Sequence, residues 1–447
     1  MAEIVIVGGG LGGMAAAARL AKQRHRVTLL ERGDSLGGAL RGIEHGGFHW
    51  DSAANSTTLP AVLRDLFRKS GRPLEHYLDL QLSTPARRHM FSDGSVIDLP
   101  TGSRADQGAA VDAGLGPGFG RQWTEFVDGQ AQHWHSLRHL VLDDPEGGAR
   151  LSERSIAREI GARRSLAKLL KTSLGDDRLR AMASHSVALA GSNPRKVPAF
   201  VATESYVERT FGVWHPAGGM AGLVEALTTR LAERHVDVRC QAPVEAITAA
   251  DGAVTGVTMT DGRRLKADVV ICDLDPRVVF RHLLAANVAA RGRRAFDAAV
   301  AVSPPDVTHL GLRGDVPDLP DEVVLHGEPL LVIRRGHRAT SAGAVAWTVL
   351  RRGDGGEDVL EIMAARGVDA RACVVARIHR DPNEMIAELG GSPFGLQWDG
   401  WRAHAQQATF GNPLPGLHLI GTAMHPGPTI PYVAWGAAHV AARIGRA

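Results

Sequence analysis

The sequence predicts an α/β fold that opens on a βαβ unit, and three neighbouring observations predict it. Glu3 to Val7 reads EIVIV, a short β-branched run of the kind buried in a parallel strand. Gly8-Gly9-Gly10-Leu11-Gly12-Gly13 follows and leads into the helix-forming stretch MAAAARLAKQ. Arg26 to Leu30 (RVTLL) is a second strand with Glu31 at its end, so strand, helix and strand close within about thirty residues.

The later elements follow in order. Leu59 to Lys69 has the apolar spacing of an amphipathic helix, with Pro60 near its start. Leu80 to Leu99 shifts to short strands, with a hairpin at Phe91 to Ser95 turning on Asp93-Gly94. Residues 105–200 carry mostly helical periodicity, and Met220 to His235 is a further helix. Strand patterns recur at Val236 to Cys240, Val244 to Thr248, Ala253 to Thr260 and, after an Asp261-Gly262 turn, Ala267 to Cys272. Residues 280–400 are mixed. The chain ends in a strand (Leu417 to Ile420), a Gly/Pro loop (Gly421 to Pro431) and a helix (Val433 to Arg443).

Composition bounds the class. A chain of 447 residues is about three times an average domain, which predicts two or three domains, interleaved in sequence. With 44% hydrophobic and 22% charged residues it has ordinary globular material for a sizeable core. Lys and Arg number 51 against 48 Asp and Glu, and a net charge of +3 gives no reason to expect a nucleic-acid partner. Cys240, Cys272 and Cys373 are far apart, which excludes a disulfide framework and a Cys-x-x-Cys pair and fits a reducing cytoplasm. No apolar run approaches the roughly 18 residues of a membrane span. The strand pattern begins at once, leaving no room for a signal peptide. The expectation is a cytoplasmic protein, at most peripheral to a membrane.

The chemistry begins at Gly8-x-Gly10-x-x-Gly13. A dinucleotide pyrophosphate needs backbone N–H groups at a helix N-terminus and no side chain in the way. Gly8 permits the tight turn, Gly10 the close approach and Gly13 the packing of helix on sheet. Glu31, 18 residues after Gly13, is placed to accept hydrogen bonds from ribose hydroxyls and to repel a 2′-phosphate. The Gly421 loop, between a strand end and a helix, is a second place where backbone N–H groups converge on an anion or a flavin edge. His133, His135 and His139 (HWHSLRH) have neither the Glu of an H-E-x-x-H helix nor a nearby cysteine, so no metal site is expected. There is no G-x-S-x-G and no P-loop from which to argue a hydrolase or a kinase.

Beyond the fingerprint, Glu31-Arg32, Leu36-Gly37-Gly38-Ala39 and Gly46 to Asp51 resemble the ER…GG…G…D stretch of the phytoene desaturase and flavin amine oxidase group. Phe211 to Met220 (FGVWHPAGGM), Asp268 to Pro276 and Leu419 to Gly427 resemble three further segments of that group, so the resemblance runs the length of the chain. Three departures stand out. Ala39 follows the glycine pair where the group has Arg, Ala53-Ala54 replaces its Gly-Pro, and Pro428-Thr429 replace two glycines. The resemblance implies non-covalent FAD in a Rossmann-like, glutathione-reductase-like domain interleaved with a mixed α/β substrate domain. FAD would contact Gly8, Gly10, Leu11, Gly12, Gly13, Glu31 and Arg32, then Gly37, Gly38, Val244, Gly421, Ile430 and Pro431. Residues 1–75, 205–278 and 405–447 are expected to form the cofactor domain, and 76–204 with 279–404 the substrate domain.

The implied activity is a desaturase removing hydride from a largely apolar, isoprenoid or carotenoid-like molecule, with oxygen, a quinone or another acceptor reoxidising the flavin. An amine oxidase forming C=N, an isomerase without net redox and a non-catalytic escort remain open beside it. His425 is the candidate acid/base or flavin-steadying group, and Trp214 the candidate for positioning the substrate. A tunnel near Trp214, His425 and Pro431, with no cluster of Arg or Lys to clamp a charged substrate, is expected to bind it.

Overall fold

The computed structural model describes residues 1–447 apart from 53, 339–342, 354–355, 398 and 402–409. Ala53 and the boundary expected at 404/405 lie outside the described residues.

Five parallel strands form the first sheet, in the order Leu417–Ile420, Val269–Asp273, Glu3–Val7, Arg26–Leu30, Asp237–Arg239. They come from the three separated stretches that the strand patterns pick out. Side chains alternate between faces: Ile4 and Ile6 enter one core, Val5 and Val7 the other. Both faces are covered, which is why these strands read as unbroken apolar runs.

On one face lie the helices Leu11–Lys22, Pro60–Ser70, Gly219–Glu233 and Ile430–Ile444. The first carries Ala15 to Ala18, all fully buried. These are strong helix formers that keep the side-chain layer thin between neighbouring helices. On the other face sits a three-stranded antiparallel sheet, Val244–Ala250, Ala253–Met259 and Arg264–Lys266, packed with Phe280 and Phe296. The last helix begins three residues before the expected Val433, because Pro431 falls in its first turn, where a missing N–H breaks no helical bond.

A second sheet of seven strands runs Val374–Arg380, Asp306–Arg313, Ala344–Arg352, Leu330–Arg335, Glu322–Leu325, Arg87–Met90, Val96–Leu99. Its pairings are antiparallel except Glu322–Leu325 against Arg87–Met90. The hairpin turns where Asp93-Gly94 predicts, and Gly94 takes the left-handed conformation the turn requires. Helices between Arg104 and Phe211 form two further cores, one around Trp123 and Leu166 and one around Trp134 and Ile160. His133 and His135 lie on the helix Ala131–Leu137 and His139 on the π-helical turn after it. Among the described residues no helix is long and apolar enough to cross a membrane.

Candidate active site

The glycine-rich turn joins strand Glu3–Val7 to the helix that starts at Leu11. Gly8 has φ +104°, and a Cβ there would stand 2.6 Å from the Asp273 carbonyl oxygen. A Cβ on Gly13 would stand 2.1 Å from the Gly8 carbonyl oxygen. No other residue fits either position without moving backbone. Glu31 braces the turn from the next strand: its Oε2 accepts from Gly9 N–H and its Oε1 from Gly33 N–H, both at 2.7 Å. Each oxygen keeps a lone pair for a further donor. The second glycine pair docks on the first, with Gly37 N–H donating to the Gly9 carbonyl at 2.8 Å.

Beneath this turn, at the end of the neighbouring strand, Asp273 Oδ2 accepts from Gly13 N–H at 2.8 Å. Ideal Cβ atoms on Gly10, Gly12 and Gly421 would each come within 2.7 Å of this same carboxyl group. The two glycine loops, some four hundred residues apart in sequence, therefore meet over one side chain. Burial pushes the Asp273 carboxyl up to about 6, against the pull of the Gly13 N–H.

A cavity of about 690 Å³ opens above the turn. One part of its wall holds Gly8, Gly10, Leu11, Gly12, Glu31, Arg32, Gly37, Gly38, Val244, Gly421, Ile430 and Pro431. Gly13 is not in the wall; its N–H faces Asp273. Arg32 donates to the carbonyls of Ala387 and Glu388. The other part comes from the seven-stranded sheet and two helices: Arg87, Glu322, Val332 and Arg334, with His185, Ser186, Leu189, Glu204 and Glu208.

Two expectations are corrected here. Trp214 is not in the wall of this cavity: its indole N–H donates to the Phe211 carbonyl at 2.6 Å and its backbone exchanges hydrogen bonds with Thr57. His425 is not there either. It lines a separate small cleft beside His439, and its Nε2 is buried with no hydrogen-bond partner among the described residues. Burial pushes this imidazole down to about 3, so it is neutral at ordinary pH. The loop that carries it faces the cavity with Gly421, Thr422 and Pro428 to Pro431 instead.

The wall does hold two arginines, but both are paired with carboxylates rather than free to clamp a charged substrate. Arg87 donates to both Glu208 oxygens at 2.6 and 2.8 Å and to Glu322 Oε1 at 2.8 Å, while Arg334 reaches Glu322 Oε2 at 2.9 Å. Burial opposes the charge on Glu322, but Arg87 and Arg334 outweigh it and hold the carboxyl down at about 2. Two cations and two carboxylates close on one another and leave no net charge to clamp an anion. These residues escape sequence reading because they come from three distant stretches of the chain, around Arg87, Glu208 and the Glu322–Arg334 strand pair; the available signal is a charged residue at an inward strand position, as at Arg87.

The model of the family described as "Flavin containing amine oxidoreductase" matches residues 11–343. The chain belongs to this family. Among its relatives, a zeta-carotene-forming phytoene desaturase of Myxococcus xanthus is 30% identical over 328 residues, covering 73% of this chain and 63% of the relative. A 4,4'-diapolycopene oxygenase of Methylomonas is 28% identical, covering 61% of this chain and 56% of the relative. The matched regions thus span less than two thirds of these two proteins. A hydroxyneurosporene desaturase of Cereibacter sphaeroides is 28% identical over nearly the full length, 99% of this chain and 97% of the relative. A putrescine oxidase structure superposes with TM-score 0.72 at 15% identity, covering 99% of this chain and 98% of its own. Cyclohexylamine oxidase from Brevibacterium oxydans superposes at 0.68 and 16%, covering 99% of each chain. These two likenesses show the fold, a flavin amine oxidase-type α/β fold with a Rossmann-like sheet.

FAD is the cofactor of this flavin family member, and the residues present fit it. The glycine turn admits no side chain, Glu31 keeps free lone pairs, and Asn55 in the cavity wall has a buried Oδ1 without a donor among the described residues.

Proposed function

We propose that this flavoprotein is a desaturase that takes hydride from a largely apolar isoprenoid and leaves a double bond. The observation that carries the reading is the continuity of the cavity: one space is lined by the glycine cradle and by the wall of the seven-stranded sheet. The names of the carotenoid relatives supply the substrate class. When bound, FAD supplies a two-electron acceptor. The chain's own part is to hold and dry the substrate. Leu189, Val213, Val332 and Phe394 offer apolar surface in the cavity wall. Burial there is worth about 25 cal/mol per Å², enough to seat a long hydrocarbon with few polar contacts.

In this reading Gly8, Gly10, Leu11, Gly12, Glu31, Arg32, Gly37, Gly38, Val244, Gly421, Ile430 and Pro431 contact FAD. Gly13 keeps the helix close enough to the sheet for them to do so. We also assign residues 1–75, 205–278 and 405–447 to the cofactor domain, and 76–204 and 279–404 to the substrate domain, except that Phe280 and Phe296 pack on the first sheet and extend the cofactor side past residue 278. The placement of all five parallel strands in the first set supports this. Oxygen or a quinone would reoxidise the flavin.

The test is anaerobic mixing of the holoprotein with an acyclic polyene such as phytoene, following bleaching of the flavin band and the new conjugated absorbance together. Bleaching with a matching rise in polyene absorbance is expected. Bleaching by small amines with none by polyenes would instead make it an amine oxidase.

A further inference from the structure

We propose that His215, Asp321 and His337 form a binding site for a divalent metal ion of the zinc class, which ties the strand Trp214–Pro216 to the seven-stranded sheet. None of the three side chains lines the main cavity, so the inference stands apart from the desaturase reading.

The three residues come from distant stretches of the chain, and no spacing motif announces them. His215 is the middle residue of the strand Trp214–Pro216, which pairs with Leu80–Leu82. Asp321 precedes the strand Glu322–Leu325, and His337 follows the strand Leu330–Arg335. These two strands are antiparallel neighbours, and Arg335 N–H donates to the Asp321 carbonyl at 2.9 Å. The pairing thus brings Asp321 and His337 to the same end of the sheet. One ligand atom from each of the three side chains lies within 4.8 Å of the other two. Asp321 Oδ2 stands 3.5 Å from His215 Nδ1, and its Oδ1 stands 3.9 Å from His337 Nε2. Both gaps are too long for a hydrogen bond. Zinc, bonded to nitrogen and oxygen at about 2.0–2.1 Å, sets its ligand atoms about 3.4 Å apart in a tetrahedron, so a small inward movement closes the site. The two imidazoles stack with centroids 3.6 Å apart, and a shared ion requires one ring to tilt until both lone pairs converge. His337 is the ring that can tilt, since its Nε2 holds no hydrogen bond for the movement to break.

The hydrogen bonds around the site leave room for a cation. His215 Nε2 stands 3.0 Å from Gln81 Oε1, an acceptor, which assigns the ring hydrogen to Nε2 and leaves the Nδ1 lone pair facing Asp321. Ser83 Oγ lies 3.3 Å from the same Nδ1 and adds a further oxygen beside the gap. The His337 side chain is 9% exposed, and its Nε2 is buried with no hydrogen-bond partner among the described residues. Burial lowers the basicity of both imidazoles against the pull of Asp321, His337 to about 4, so both are neutral at ordinary pH. Two neutral imidazoles therefore face one carboxylate across a space that no hydrogen bond spans. Arg335 adds a positive charge near His337, which disfavours an ion held by charge alone. Calcium and magnesium take oxygen ligands, whereas two imidazoles and a carboxylate suit zinc and its first-row neighbours. Asp321, 24% exposed, gives the ion a way in and leaves a place for water as the fourth ligand. The strand that the ion ties down carries Trp214, whose backbone bonds Thr57 in the cavity wall. The ion would brace that wall from behind without touching the substrate.

The experiment uses the FAD-loaded protein, stripped with a chelator, desalted, and then mixed with Zn²⁺ or Co²⁺. Two quantities are read: metal retained per chain after a second desalting, and, for Co²⁺, the visible bands of a four-coordinate ion at wavelengths beyond the flavin absorbance. The wild type is expected to retain one zinc ion per chain and to show the cobalt bands. His337→Ala and Asp321→Asn should each lose both signals. Gln81→Leu, which frees the His215 ring without removing a ligand, should weaken binding about tenfold. Retained flavin absorbance in the variants reports that they are folded. His135→Ala serves as a control for the pair His135 and His139, whose rings lie 4.4 Å apart on another part of the chain, and should bind as the wild type does. A wild type that retains no zinc, or retention undiminished in either His337→Ala or Asp321→Asn, would overturn the site. Loss of zinc in His135→Ala with retention in His337→Ala would place the ion on the other histidine pair and overturn it equally.

Discussion

At Gly13 a single methyl group decides whether the cofactor loop can close. Its Cβ would sit 2.1 Å from the Gly8 carbonyl oxygen, far inside van der Waals contact, and that oxygen is backbone and cannot swing aside. Gly13→Ala is therefore expected to push helix Leu11–Lys22 off the sheet, lowering the melting temperature by several degrees and abolishing FAD uptake. Flavin retention after desalting checks it. Asp273 makes a different prediction. Its carboxyl stands at about 6 in the fold against an ordinary 3.8, so the folded chain holds a proton that the unfolded chain has released. This contribution to stability is whole below about pH 4 and is lost as pH rises through about 6, a loss of order 3 kcal/mol. Asp273→Asn keeps an acceptor for Gly13 N–H and removes the titration. The apoprotein variant should lose less stability than wild type between about pH 4 and about pH 7, measured by urea unfolding at both. A residual slope is expected from Asp51, which burial also pushes up to about 6.

Asp51 acts between elements. It ends the strand Phe48–Asp51, and its Oδ1 accepts from Met220 N–H at 2.8 Å, capping the helix Gly219–Glu233 from a distant part of the chain. Asp51→Ala strands that N–H in a buried place and is expected to cost about 1–3 kcal/mol, read from the urea midpoint. Such ties mark the limit of what the residues reveal in order. The βαβ opening, the Asp93-Gly94 hairpin and the Gly421 strand–loop–helix were legible because each is a local pattern of period, turn residue and length. Glu31 was legible because its spacing from the glycines is fixed by one helix and one strand. The Asp51 cap, the Asp273 floor and the charged wall were not, because each depends on which distant segments the sheets bring together. Trp214 and His425 misled for the same reason: a motif fixes where the backbone runs, but the faces of the loop decide which side chains reach the cavity.

At the scale of the whole molecule, Arg87 is the junction. It sits 5% exposed on a strand of the large sheet, joins the helix Thr203–Phe211 through Glu208, and joins the next strand through Glu322. Burial opposes its charge, yet the two carboxylates raise its basicity and keep it cationic. Such a group adds little net stability when complete, because desolvation offsets most of the attraction, but losing one member leaves charges stranded. Arg87→Met keeps the volume and removes the cation, so Glu208 and half of the Glu322 pairing lose their partner in the cavity wall. The expected cost is about 3–5 kcal/mol in urea unfolding of the apoprotein. Adding Glu208→Gln should recover part of it, because the second change removes the charge that the first exposed. The two effects are then strongly non-additive. Simple additivity would mean that the four side chains act as separate surface pairs, and that the wall seen beside the cavity is not one electrostatic unit.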